Sequence, residues 1–293
     1  LTGIVDVSSQ SVRDRVFIGA QYLLPQHFLS RLIGSLARAQ AGWLKRALIR
    51  GFLRHYPVDL SEAERSKASD YESFNDFFTR RLRQGARPID HEPAAVVCPV
   101  DGYVSQAGAC VGDGMLQAKG ISYSVNALLG GDAALAAQFA GGTYATLYLA
   151  PHNYHRIHMP LAGTLRLARH VPGDLFSVNA ATAEGVPGLF TRNERIVCVF
   201  DTSAGPMAIV LVGALFVGSM SLSWAGEIRR QHRRRMRELP VRPVIALDKG
   251  AELGWFNMGS TVVLMFAVAG PVLEPGLAPG RPMRMGERIA TCS

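Results

Sequence analysis

The sequence predicts an α+β fold, with amphipathic N-terminal helices ahead of a mainly antiparallel β domain. Three observations lead there. Residues 11 to 56 carry apolar side chains at helical spacing. From about residue 94 onward, short β-branched and aromatic runs alternate with Gly and Pro turns. No strand–helix alternation with a Gly-rich phosphate loop is visible, which argues against a dinucleotide-binding fold.

A chain of 293 residues holds one large domain, or one domain with an appendage, and can bury a substantial core. Hydrophobic residues make up 48% and charged residues 18%, which excludes a disordered chain. The net charge of +8 points to an anionic partner: nucleic acid, acidic lipid or an acidic substrate. Cys98, Cys110, Cys198 and Cys292 form no C-x-x-C pair, so a zinc or redox motif is not expected and free thiols in a reducing compartment fit best. No run reaches the roughly 18 apolar residues of a spanning helix. The first residues lack the basic start and long apolar core of a signal peptide. The expectation is a protein that does not span a membrane, with association at a membrane surface left open.

In the helical segment, Phe28, Leu29, Leu32, Ile33 and Leu36, then Leu44, Ala47, Leu48 and Phe52, fall at helical spacing. Arg31, Arg38, Lys45, Arg46, Arg50 and Arg54 stand between them, and only Asp6 and Asp14 are acidic before Asp59. Two readings stand level. A basic amphipathic helix pair can lie in a membrane interface with Phe28, Trp43 and Phe52 on its apolar side. An ordinary helical hairpin can instead pack on its own domain. Pro57 closes the segment. Ser73 reads as a helix N-cap with Asp76 three residues on, and the aromatics from Tyr71 to Phe78 read as core. Gly85 and Pro88 then break the chain. Strands are expected at 96–97, 103–104, 144–149, 195–200, 207–212, 215–217 and 261–268. The division expected is a helical segment over 1–65 and a β domain over 66–293.

Residues 229 to 237 hold Arg229, Arg230, Arg233, Arg234, Arg235 and Arg237. Such a cluster can grip phosphates, although a solvated charged loop is the commoner fate of a charge run. No aromatic residue is interleaved, which weakens a single-stranded nucleic-acid reading.

Three local patterns can carry chemistry. Asp101-Gly102 follows an apolar run and can present a carboxylate at a strand end, or form a simple turn. The stretch 151–160 packs His152, His155 and His158 between two prolines, and reads as a loop or short turn of groups that titrate near neutrality. Metal spacings such as His-Glu-x-x-His are absent. Gly259-Ser260 opens an uncharged, β-branched run. Gly259 has no Cβ to block approach to its carbonyl and can hold a strained turn. Asp, His and Ser form the generic set for activating a hydroxyl. A nucleophile elbow, however, would want Gly-x-Ser-x-Gly before a helix. Here the acyl group nearest Ser260 is the carbonyl of Gly259 itself. A serine hydrolase using Ser260, His158 and Asp101 on an external ester, and a non-enzymatic basic module, are the rival readings.

At this point the chain resembles the phosphatidylserine decarboxylase proenzymes, a pyruvoyl-dependent family. The matching pieces are Phe74-Asn75-Asp76-Phe77-Phe78, Pro99-Val100-Asp101-Gly102, Tyr154-His155-Arg156-Ile157-His158-Met159-Pro160, Pro172-Gly173-Asp174-Leu175-Phe176-Ser177-Val178-Asn179, Leu211-Val212-Gly213-Ala214, Val217-Gly218-Ser219 and Gly259-Ser260-Thr261-Val262. They follow the family's order over residues 74–262. Family members often read Leu-Gly-Ser-Thr where this chain has Met258, a change that conserves volume.

The resemblance implies self-cleavage between Gly259 and Ser260. His158 would take the Ser260 proton while Asp101 orients His158 and stabilises its charge. The Ser260 oxygen would attack the Gly259 carbonyl and form an ester. Elimination and loss of ammonia would leave a pyruvoyl group as the covalent cofactor, with chains 1–259 and 260–293 and no metal. The substrate amine would join it as a Schiff base. The implied reaction is decarboxylation of phosphatidylserine to phosphatidylethanolamine, with His155 reprotonating the carbanion. The short chain is expected to remain attached as a buried central strand. The resemblance also implies a homodimer, no nucleic-acid partner, and a peripheral protein on anionic lipid at the cytoplasmic face of the cell membrane. The lipid substrate turns the choice on the helical segment toward membrane docking.

Overall fold

The computed structural model describes residues 11–216, 219–229 and 235–292. Asp6, Val217, Gly218, Arg230, Arg233 and Arg234 lie outside the described residues.

The architecture is α+β, as expected: three long helices, Val12–Leu23, Gln26–Ala37 and Gly42–His55, precede a mainly antiparallel β body. The first helix starts at a capping box in which Ser11 and Asp14 bond each other's backbone N–H. Ser73 caps Phe74–Phe78 by accepting from the Asp76 N–H at 3.1 Å. The Asp76 carboxylate accepts instead from the Glu72 N–H and from Arg65.

The body is built on a nine-stranded sheet whose centre is Ser260–Phe266. One edge of that strand pairs with Thr143–Leu149 and the other with Gly205–Gly213, antiparallel and in unbroken register. All seven of its residues are buried. Val262, Leu264 and Phe266 enter one core, and Val263 and Met265 enter the core on the opposite face. Burial on both faces is why the run reads as continuously apolar rather than alternating. Two ladders also give the 260–293 segment a backbone attachment that does not depend on the bond to Gly259. Gly102, next to Asp101, has no room for a side chain: a Cβ there would stand 2.3 Å from the Tyr148 carbonyl oxygen.

A four-stranded sheet, in the order Gly226–Ile228, Met220–Leu222, Glu252–Phe256 and Arg156–His158, abuts this one. Two expectations change here. The histidine stretch is not wholly loop, because Arg156–His158 pairs with Glu252–Phe256 and Arg156 Nη1 donates to both Glu252 carboxylate oxygens, at 2.8 and 2.9 Å. Leu215 and Phe216 form a turn rather than a strand, with Phe216 at φ 69°. Propensity favoured a strand, but the chain must leave the central sheet there.

The first two helices dock through polar side chains. Gln21 accepts from the Ser177 N–H and Gln26 from the Leu175 N–H, both at 2.7 Å, and Ser30 accepts from the Phe216 N–H at 3.1 Å. Gln21 is 1% exposed, whereas Phe28 is 58% and Trp43 70% exposed. Phe52 departs from the expectation. It turns toward Phe74, Phe77 and Phe78, with ring centroids 5.4 to 6.1 Å away. Ile49 and Tyr71 join this cluster, so the helical segment and the β body share a core.

Candidate functional site

Between Phe256 and Ser260 the chain crosses from the four-stranded sheet to the nine-stranded one. The crossing is strained. Met258 has φ 90° and Gly259 φ 44°. A left-handed non-glycine residue costs on the order of 1–3 kcal/mol and persists only where its surroundings hold it. Asn257 does the holding. Its Nδ2 donates to the hydroxyls of Ser219 and Ser221 at 2.9 and 3.1 Å. Its Oδ1 accepts from Asn75 at 3.1 Å, and its N–H donates to the Ser219 carbonyl. Ser219 also bonds Glu227, which Arg38 grips from the end of the second helix at 2.7 Å.

Ser260 stands at the head of the central strand, opposite Leu149 and Gly213. The residue is 1% exposed, and its hydroxyl has no hydrogen-bond partner among the described residues. Leaving a buried hydroxyl unpaired costs about 1–3 kcal/mol. Nothing within 4 Å would meet a Cβ placed on Gly259, so space is open beside its Cα.

After Leu149 the chain turns: the Asn153 N–H donates to the Ala150 carbonyl and the Ala150 N–H to Asn153 Oδ1. His155 returns beside Phe256, whose N–H donates to the His155 carbonyl. The His155 ring is fully buried and stacks on Phe78 at 4.1 Å. Its Nε2 lies 3.3 Å from the Pro151 carbonyl, and Nδ1 has no partner. Burial, reinforced by the Arg80 charge, pushes its pKa down to about 3.

His158 Nδ1 lies 2.8 Å from the Gly250 carbonyl, which can only accept, so Nδ1 carries the proton. Nε2 is therefore the acceptor for the Tyr154 hydroxyl at 3.0 Å. Burial lowers the His158 pKa, against an opposing pull from the Gly250 bond. The result is a neutral imidazole with its lone pair on Nε2. His152 stands at the mouth of the site, edge-on to Tyr103.

Asp101 is buried, just ahead of the Gly102–Ala109 strand. Its carboxylate faces Arg87, at 2.9 and 3.0 Å from Nε and 2.5 Å from Nη2, and accepts from the Met285 N–H at 2.9 Å. No hydrogen bond joins Asp101 to His158, or His158 to Ser260, among the described residues. Asp101 reaches His158 through its charge, while Gly250 and Tyr154 orient the ring. The His158 N–H bonds the Pro99 carbonyl, which ties the two segments together.

Sequence reasoning missed Arg87, Asn257 and the Tyr154–His158 contact. Tyr154 lay inside a stretch already singled out and Asn257 two residues before Gly259, but Arg87 carried no local signal. Arg87 also bonds Glu62 at 2.8 Å, so Arg87→Ala would leave the buried Asp101 without its cation and Glu62 with only Arg284, 3.7 Å away. Removing one partner of such a network costs about 3–5 kcal/mol. Urea unfolding of Arg87→Ala is expected to show a loss of that size, with a smaller one for Arg87→Lys. An unchanged midpoint would contradict this.

No group of three or more His, Cys, Asp or Glu is placed to hold a metal ion among the described residues. A buried, unbonded hydroxyl at a strained junction, with neutral, buried imidazoles on adjoining segments, fits an enzyme better than a binding module. Comparison with known proteins carries this further. The family model for phosphatidylserine decarboxylase matches residues 74–291, and a second model, described as PSD, matches residues 16–57. The phosphatidylserine decarboxylase proenzyme of Pseudomonas aeruginosa strain LESB58 is 53% identical over 283 residues, covering 96% of this chain and 98% of that protein. The proenzyme of Azotobacter vinelandii is 52% identical over 285 residues, covering 96% and 100%. That of Ectopseudomonas mendocina is 52% identical over 281 residues, covering 95% and 98%. The chain belongs to the phosphatidylserine decarboxylase family.

Proposed function

We propose that the chain cuts itself between Gly259 and Ser260 and uses the residue left at position 260 to decarboxylate phosphatidylserine. As a member of its family it converts phosphatidylserine to phosphatidylethanolamine. The observation that carries the proposal is the Ser260 hydroxyl, buried and unbonded after Gly259 and the left-handed Met258.

In this reading His158 Nε2 accepts the Ser260 proton, and the Asp101 charge stabilises the imidazolium. Ser260 Oγ bonds to the Gly259 carbonyl carbon as the Gly259–Ser260 amide breaks, which gives an ester and a free amine. Elimination releases the Gly259 carboxylate, and water then replaces the nitrogen, which leaves as ammonia. The pyruvoyl group so formed would supply the electron sink for loss of carbon dioxide. The site fits such a group. Open space lies beside the Gly259 Cα, next to the new terminus, which pairing with Leu149 and Gly213 fixes. His155 is the proposed proton donor to the decarboxylated carbon. It rests neutral, so it must first take up a proton. Intact-mass measurement is expected to find chains 1–259 and 260–293, the second lacking an α-amine. A single full-length species with unmodified serine would overturn the proposal.

No helix is long and apolar enough to cross a membrane among the described residues. We propose that the helical segment 1–65 docks the catalytic body, 66–293, on anionic lipid at the cytoplasmic face. The support is an inverted pattern: polar Gln21, Gln26 and Ser30 face the protein, while Val16, Phe17, Phe28, Leu32 and Trp43 face outward. Inserting the last three side chains would contribute about 1 kcal/mol or more each. The triple variant Phe28→Ser, Leu32→Ser, Trp43→Ser should bind anionic vesicles on the order of 100-fold more weakly in flotation, at unchanged stability. Undiminished binding counts against the surface. The proposed homodimer rests on the family resemblance, and light scattering of the purified chain tests it.

A further inference from the structure

Arg80 is a buried cation without an anion. It is 4% exposed. Its Nη2 donates to the His152 carbonyl at 2.9 Å and, weakly, to that of Asn153 at 3.4 Å. Nε and Nη1 are buried and bond nothing among the described residues. Other buried arginines are matched: Arg87 by Asp101 and Glu62, Arg156 by Glu252, Arg169 by Asp132 and Glu238. Arg195 has no carboxylate, but its Nε, Nη1 and Nη2 all donate to backbone carbonyls. A buried guanidinium left uncompensated costs several kcal/mol, so its retention calls for a partner.

Arg80 borders a cleft of about 240 Å³, shared with Asp101, Tyr103, His152 and Tyr154. The carboxylates there are engaged elsewhere. Asp101 and Glu62 bind Arg87, and Asp59 accepts from the Ser61 N–H. The cleft lies close to the reacting position. Tyr103 pairs with Tyr148, and Tyr148 pairs with Thr261, the neighbour of Ser260. Two strand spacings amount to about 10 Å.

Building on the decarboxylase reading, we infer that Arg80 is the receptor for the phosphodiester of the phospholipid substrate, held in this cleft. The substrate offers two anions, and the chemistry selects between them. The carboxylate gives up its charge as carbon dioxide leaves, so a guanidinium bound to it would stabilise the ground state over the transition state and slow the reaction. The phosphodiester keeps its charge throughout and matches the guanidinium fork. Binding there is uniform along the reaction, so its loss appears in KM rather than kcat.

The test is steady-state kinetics of mature wild type, Arg80→Lys and Arg80→Gln on phosphatidylserine in detergent micelles. Arg80→Gln should raise KM at least 10-fold, and Arg80→Lys, which keeps the charge that bears on His155, should raise it less with kcat within 3-fold. A fall in kcat at unchanged KM, or wild-type KM in both variants, overturns the inference. Should Arg80→Gln fail to mature, inhibition of mature wild type decides. Glycerophosphoethanolamine should compete at least 10-fold more strongly than ethanolamine, and equal inhibition overturns the inference. Competition by inorganic phosphate with none by glycerophosphoethanolamine would make this a free-phosphate site and also overturn it. A wild type that is uncut by mass defeats the decarboxylase reading itself. A cut, active wild type whose KM ignores Arg80 defeats only this inference.

Discussion

Ser260→Ala is expected to leave the chain at its full 1–293 length, with no detectable release of carbon dioxide from phosphatidylserine. The effect should be complete, because the side-chain oxygen is both the attacking atom and the source of the later electrophile. Misfolding is not expected to explain it. The hydroxyl bonds nothing, so its removal breaks no hydrogen bond and relieves an unpaired polar group worth about 1–3 kcal/mol. Stability should therefore be unchanged or slightly raised, and urea unfolding beside intact mass makes the distinction. A cut or active Ser260→Ala protein would remove the basis for the mechanism.

His158→Ala should slow cutting by about 10²–10⁴-fold, the usual contribution of a positioned base. The geometry gives the reaction a recognisable pH profile. Only the neutral ring can accept a proton, and burial holds the His158 pKa below the ordinary 6.5. The base form therefore still predominates at pH 6.5, and the midpoint of the pH–rate profile should lie below that value. The rate should decline as the ring becomes protonated. A time course of newly synthesised chain, followed by mass between pH 5 and 8, measures this. A midpoint above 7 would mean that another group accepts the proton.

Much of the architecture was legible because it is local. The helical spacing of Phe28, Leu32 and Leu36, the cap at Ser73 and the uncharged run after Ser260 depend on near neighbours, and the structure places helix, cap and strand there. Leu215-Phe216 failed because a strand-like pair sits where the chain leaves the sheet. Arg156–His158 failed because its strand depends on a partner almost a hundred residues away.

By itself, the sequence determined that a Gly-Ser bond heads a buried strand and that histidines and a carboxylate are available. Tertiary structure alone decided how they are engaged. It gave Asp101 to Arg87, fixed the proton of His158 through Gly250, docked the first two helices through polar side chains, and left Arg80 without an anion. The reason is physical. Propensity and periodicity are properties of adjacent residues, whereas a hydrogen-bond partner or an unbalanced buried charge exists only once distant segments have packed.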